Sequence, residues 1–528
     1  MKIKNKELNL FSITWMGFSF IAGITFTASF TTILGKDSVG GHIYWIFALE
    51  GLIAFMCAWA FGKLVQVHPQ ANGGGSQYAR TAFGKFWGLL MGMLNYSVIP
   101  LVGMNLLVSM VRQNFDGGAV DLVGFKNGVF TGSWGSWGSL YLDIIAFGLF
   151  IFASTVIFFG IRKYKVVGVA VGYITWTLTL LLMILGLVAG GLNLFGSSPN
   201  NGLLNHTTGI KLGFKNFSSA FTTCFLAYGG IETFITTGKN IKNRSKNVPL
   251  AIIIILIATT LFYIIFTLII MFAVTGDFKG NPNLQIFDNL SNNVIIKKFG
   301  VWMIIACTLL MRFNSSLQLT LFGGSTLEPL AKQRFIPKKL EKENGENVPI
   351  NGVITTIIIS ILTSVLFIFI PDIIQGVTGK PTPFDYATLA SAASIVLISI
   401  YYLIIPVVLV QGFRKKIKLK IWEYIGWILT MGVLTFIIVM YFIDLFSTLA
   451  NPYKDGVFLI QPVLASTFQL VYLFAIILVA LYLYFVYHKK QMKLLSTNKE
   501  ELEKLQEYEK VFVIFEKDTI IKNKNSSV

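Results

Sequence analysis

Apolar residues along this chain arrive in long blocks, separated by short polar links, instead of alternating with polar ones. The blocks run to about 20 to 25 residues, the length a helix needs to cross a hydrocarbon core of roughly 30 Å. Twelve are read: 11–35, 43–65, 84–111, 140–161, 166–190, 216–238, 249–275, 297–322, 350–371, 386–411, 421–446 and 463–487. No hydrophilic stretch between them is long enough to be a soluble domain. The pattern predicts an all-α integral membrane protein with twelve transmembrane helices, because a chain in lipid must satisfy its backbone groups internally. The first block, from Phe11, is too long for a signal-peptide core and lacks a small-residue cleavage pattern, so no cleavable signal peptide is expected.

An even number of spans places both termini on one side. The N-terminus and the links after even-numbered spans carry 23 Lys and Arg, against ten on the opposite side, and the final tail adds nine more. The bias predicts cytoplasmic termini and a multi-pass protein of the plasma membrane. Composition agrees with lipid as the solvent: 54% of residues are hydrophobic, 13% are charged and mean hydropathy is +0.68. The net charge of +18 does not point to nucleic acid, because the basic residues sit in links and form no stripe interleaved with aromatics. Seven of the 43 are Arg and the rest Lys; with abundant Ile and Asn, this is the usage of an AT-rich bacterial genome. Cys57, Cys224 and Cys307 lie inside apolar blocks without CxxC spacing, and the four histidines fall in loops or at helix ends. Neither a disulfide, a metal site nor a histidine proton relay is expected.

Glycine inside a span marks close helix packing or a deliberately opened helix. Span one reads Trp15-Met16-Gly17-Phe18-Ser19-Phe20-Ile21-Ala22-Gly23-Ile24-Thr25, and span six reads Phe225-Leu226-Ala227-Tyr228-Gly229-Gly230-Ile231-Glu232. Packing would explain either cluster alone. The two lead off successive sets of five spans, however, and paired interruptions of this kind point to the central site of a transporter. An opened helix offers N–H groups to a carboxylate and C=O groups to an ammonium or metal cation. A zwitterionic amino acid suits both.

The link after span two reads Pro69-Gln70-Ala71-Asn72-Gly73-Gly74-Gly75-Ser76-Gln77-Tyr78-Ala79-Arg80, followed by Phe83-Gly84 and Gly88. This resembles the proline, glycine-pair, tyrosine and phenylalanine-glycine pattern of the amino acid–polyamine–organocation superfamily of permeases. Ala227 to Glu232, with Lys242-Asn243 and Asn247-Val248-Pro249 after it, is similar to the span-six signature and the link following it. Ser325 to Pro337 and Val348-Pro349-Ile350-Asn351 resemble the link before span nine and its opening. The four motifs occur in order, and the likeness covers about residues 11 to 411. It implies a five-plus-five inverted repeat like that of sodium-coupled leucine transporters, with helices one and six discontinuous. The segments would be an N-terminus (1–10), a first repeat (11–190), a second repeat (216–411), peripheral spans eleven and twelve (421–487) and a cytoplasmic tail (488–528). By position, Ile21, Ala22, Gly23 and Ile24 would offer N–H groups to a substrate carboxylate. Carbonyls near Phe20, Leu226 and Ala227 would hold its amino group, with Gly229 at the break and Tyr228 as an aromatic lid. The family's usual Gly-Ser-Gly at the first break is here Ile21-Ala22-Gly23, which leaves less room.

Charges inside spans are costly and therefore candidates for function. Glu232 is read as a gating or proton-linked acid, or as a structural partner of span one. Arg312 is read as pairing with Glu232 or Glu50, or as facing the substrate side chain. Asn314, Ser315 and Ser316 lie where sodium-dependent relatives place cation ligands, although hydroxyls in such helices also bond back to their own backbone. Span five, at Gly172-Tyr173-Ile174-Thr175-Trp176-Thr177, lacks the lysine that some proton-coupled relatives carry. Proton and sodium coupling both stay open, as do exchange and the oligomeric state. No cofactor is expected, the partners being an amino acid and the bilayer. The acids Asp143, Asp372, Asp385 and Asp444 are scattered and unpaired in sequence, which argues against a membrane enzyme. The expected activity is secondary active transport of amino acids by alternating access. A polyamine or organic-cation permease and a non-transporting sensor on the same fold are the alternatives. The Gly-Ser-Trp-Gly-Ser-Trp-Gly run at 132–138 reads as an interfacial loop, and the tail at Lys499 to Leu505 as a solvated helix.

Overall fold

The computed structural model describes residues 9–513 except 23–25, 27–29, 35–37, 68–74, 117–119, 127, 197–200, 209, 211, 231–242, 279–280, 291–292, 345–347, 382–385 and 455. Helices dominate. Among them are α1 (Leu10–Ile21), α2 (Ile43–Val67), α3 (Gly75–Phe83), α4 (Lys85–Phe115), α5 (Gly138–Thr155), α6 (Ile161–Phe195), α7 (Phe214–Phe225), α8 (Arg244–Ala273) and α9 (Val294–Lys332). There follow α10 (Ile350–Ser364), joined through a π turn to α11 (Ile370–Thr378), then α12 (Tyr386–Phe413), α13 (Ile421–Ala450), α14 (Ile460–Tyr482) and α15 (Lys499–Val513). The strands described form two short hairpins, 125–126 with 129–130 and 453–454 with 457–458.

Among the described residues nine helices are long and apolar enough to span a membrane. The sequence spans outside that set are 11–35, 84–111 and 216–238. The second is filled by the 31-residue α4, whose mid-helix polar residues include the buried Asn95. The other two hold the 12-residue helices α1 and α7, which stop partway through the predicted spans.

The centre is built by α2, α8, α12 and α4. Helix α8 lies along α2, α9 along α4, and α12 crosses α2 and α4, while α1 packs against α6, α8 and α9. Apolar residues on all sides let the central helices bury: within Ser391–Phe413 an 18-residue stretch is 67% buried, against 17% for such a stretch in Ile460–Leu495. The outer helices keep Ile428, Leu429, Val471 and Leu478 exposed, as a face turned to lipid requires.

Helix α4 is tied down at both ends. At one end Gly84 adopts φ +98, which glycine alone accepts without strain, and this turns the chain from α3 into α4. At the other end Arg112 bonds both oxygens of Asp143 on α5, through Nε (2.8 Å) and a terminal nitrogen, and also Asp372 on α11. This corrects the reading of Asp143 and Asp372 as unpaired acids. The fold brings them together, and the guanidinium they share makes them an ion cluster. The tail reading also changes. Helix α15 is longer than expected and buries Leu505 and Phe512 against the end of the bundle that carries α3.

Candidate functional site

Two helices end facing each other. Helix α1 stops at Ile21, and Ala22 is extended (φ −80, ψ 131) with its N–H bonded to Phe18 O at 2.8 Å. Helix α7 gives way to a tight turn at Leu226–Tyr228, after which Gly229 is extended (φ −65, ψ 143) and Gly230 adopts φ +120. A Cβ on Gly230 would lie 2.3 Å from the Phe20 ring, so the two interruptions touch at a place only glycine can occupy. Of the residues that the sequence assigns to this site, Gly23, Ile24 and Glu232 lie outside the described residues.

One hydroxyl gathers both helix ends. Tyr263 of α8 donates towards Ile21 O (2.9 Å), the last residue of α1, and Ala227 O (2.7 Å), in the turn that follows α7. A phenol has a single proton, so the two carbonyls share one donor. Leu226 O accepts from the N–H of Gly229 at 3.0 Å. Of the carbonyls expected to hold a substrate amino group, those of Leu226 and Ala227 are thus on protein donors in this conformation. Tyr228 is fully buried: its hydroxyl donates to Phe47 O of α2 (2.8 Å), and its own carbonyl accepts from Tyr401 of α12 (3.3 Å). In this conformation it ties the turn after α7 to α2 and α12.

Aromatic rings pack around the first break. Phe20 meets Phe322 of α9 edge-on at 5.3 Å, and Phe18 stacks on Trp176 of α6 at 4.4 Å. Phe26, beyond the end of α1, lies among Phe47, Phe262 and Tyr263.

The polar residues of α9 divide. Asn314 reaches Ser19 of α1, its amide 3.5 Å from both the Ser19 carbonyl and hydroxyl, and accepts from Gln318 (3.2 Å). Ser315 bonds back to Met311 O (3.2 Å) as hydroxyls in such helices do, whereas Ser316 crosses to Gly103 O of α4 (3.1 Å). Arg312 is half-buried and its charge reaches Tyr263. Glu50, the alternative partner considered for it, has neither carboxyl oxygen bonded among the described residues. Among the described residues no group of three or more His, Cys, Asp or Glu could hold a metal.

Sequence reasoning missed Tyr263. The only signal was its position as a phenol in the apolar run Leu261-Phe262-Tyr263-Ile264-Ile265, beside Thr259 and Thr260.

Comparison with known proteins adds a family. The sequence model of the amino acid permease family matches residues 12–496. Relatives include the uncharacterized protein MG225 of Mycoplasma genitalium, 21% identical over 79% of this chain and 81% of its own length. The branched-chain amino acid permease BcaP of Lactococcus lactis is 24% identical over 66% of this chain and 74% of its own. The amino-acid permease inda1 of Hypocrea atroviridis is 25% identical over 66% of this chain and 57% of its own.

Proposed function

The chain belongs to the amino acid permease family, and from that premise we propose that it carries amino acids across the plasma membrane as a secondary transporter working by alternating access. Twelve spans in two inverted sets of five, with two peripheral, would surround a site at the interruptions of α1 and α7. The observation that supports this reading most is the joint hold of Tyr263 on Ile21 O and Ala227 O. Main-chain groups freed by a break must be satisfied, and a small zwitterion can take them over from protein donors without any net charge in the site.

In the transport reading, Phe20, Ile21, Ala22, Gly23 and Ile24 on one side and Leu226, Ala227, Tyr228 and Gly229 on the other line the substrate. The N–H groups beyond Ile21 take the carboxylate. The carbonyls that Tyr263 now holds take the ammonium. Arg312, Asn314, Ser315 and Ser316 border it from α9, and Glu232 belongs to the gate. Both termini are assigned to the cytoplasm.

The test is exchange in liposomes. Purified protein should swap external radiolabelled amino acid for internal unlabelled amino acid, and the likeness to the branched-chain amino acid permease BcaP makes leucine, isoleucine and valine the first to try. A thermal-shift screen of the amino acids, with and without sodium, should find at least one that raises the unfolding temperature, since a ligand of the folded state stabilises it. Protein that is folded and inserted yet exchanges none of the amino acids would end the proposal.

A further inference from the structure

Glu50 sits on α2, one turn beyond Phe47, and is fully buried. Neither of its carboxyl oxygens has a hydrogen-bond partner among the described residues. Its surroundings explain why. Cys224 on α7, Tyr228 in the turn after it and Tyr263 on α8 lie within its electrostatic reach. The two phenols direct their protons elsewhere, to Phe47 O and to the carbonyls of Ile21 and Ala227. On α12, Tyr401 donates to Tyr228 O. On α13, Glu423 pairs with Lys63 (2.7 Å) at the far end of α2, and His42 before α2 accepts from Trp45 (3.2 Å). Arg312 reaches Tyr263. An ionised carboxylate placed here would have lost its water and gained no donor, which the apolar interior does not tolerate.

We propose that Glu50 is a proton-binding residue of the transport cycle, held as the neutral acid in this conformation and released to ionise when Tyr228 or Tyr263 lets go of the backbone. The inference rests on the transport reading. A phenol that bonds Phe47 O or the broken helix ends cannot at the same time donate to Glu50. Closing the breaks and ionising Glu50 therefore compete for the same two protons. When substrate takes the Ile21 and Ala227 carbonyls, Tyr263 is free to turn, and water admitted by the movement accepts the Glu50 proton. The step balances as –COOH plus H2O giving –COO⁻ plus H3O⁺, with the carboxylate held by the freed hydroxyl. Reprotonation from water on the other side of the membrane restores the starting state.

The experiment compares wild type, Glu50→Gln and Glu50→Asp in liposomes, with a radiolabelled mixture of the protein amino acids as probe. An acid-inside pH gradient should drive wild-type accumulation beyond equilibrium, since substrate entering displaces a proton that is regained on the other side, and wild-type exchange should vary with pH. In Glu50→Gln the exchange should lose its pH dependence and accumulation should fall to the equilibrium level. Glu50→Asp, which keeps a titrating group, should move the pH profile and retain accumulation. The proposal is overturned if Glu50→Gln accumulates as wild type does, or if wild type exchanges but ignores the gradient. Should Glu50→Gln not insert, a wild type that neither takes up nor releases protons when the mixture is added, read by a pH dye in weak buffer, overturns it equally. Wild type that exchanges nothing removes the transport reading, and this one with it.

Discussion

Tyr263 is the residue on which the candidate site depends most directly. Its hydroxyl serves two carbonyls that lie more than two hundred positions apart in the chain, and removing it leaves both without that donor in an apolar interior. Tyr263→Phe keeps the ring and its packing against Phe26 and Phe47, so the loss is that of the hydrogen bonds alone. We expect the detergent-solubilised variant to lose about 1–3 kcal/mol of stability in denaturant unfolding, the scale of a buried acceptor left unmade. Exchange should also slow, because the helix ends are no longer held in register for substrate. An unaltered unfolding curve would show that these carbonyls find other donors. Such residues were hard to read in the sequence for a physical reason. A phenol in an apolar helix has no spacing signature, and whether it faces lipid or a broken neighbour depends on packing that only the fold supplies. Glycine is different. Gly23, Gly229 and Gly230 stood out because their absence of a side chain has a backbone consequence, and at Gly230 that consequence is a positive φ against Phe20.

At the scale of elements, apolar block length made the helices legible, and the glycine clusters showed where α1 and α7 stop. The ion cluster of Arg112, Asp143 and Asp372 was not legible, since it joins helices whose residues are up to 260 positions apart. It fastens α4, α5 and α11 at one end of the bundle, with Asp143 and Asp372 almost wholly buried. Removing the guanidinium would strand two carboxylates. Arg112→Ala should therefore cost about 3–5 kcal/mol in unfolding measurements, the range for breaking a buried pair from one side. Arg112→Lys should recover part of it only, because an ammonium cannot make the two-pronged contact with Asp143. Equal stability of the Ala variant and wild type would mean that water already serves these acids.

For the whole molecule, α4 is a rod of 31 residues, about 45 Å, and the end opposite Arg112 is held by the tail. Arg80 of α3 donates to Gln333, beyond the end of α9, at 2.7 Å and to Glu509 of α15 at 2.9 Å, while its guanidinium lies 4.2 Å from the Phe512 ring. Lys85 at the start of α4 also meets Glu509 (3.0 Å), Gln77 donates to Tyr508 (2.6 Å), and Lys338 pairs with Glu501. The tail thus bridges the links before α4 and after α9, two long helices that pack along each other. Burial pushes the Glu509 carboxyl up, but Arg80 and Lys85 more than offset it and hold the group below the ordinary carboxylate value. A carboxyl lowered in the docked state contributes stability that is fully present above its free value, about 4.5, and is lost as pH falls through the lower docked value. Docking should accordingly be unaffected from neutral pH down to about 5 and weaken progressively below 4.5. Glu509→Gln should weaken it at neutral pH and remove this acid transition. Arg80→Ala, which gives up the ion pair and the ring contact together, should weaken docking by about 2 kcal/mol. Hydrogen exchange of the α15 amides, followed against pH in the intact protein, reads all three. Protection of α15 that is the same in Arg80→Ala as in wild type would mean that Leu505 and Phe512 dock the tail by apolar burial alone, and that its charges only face water.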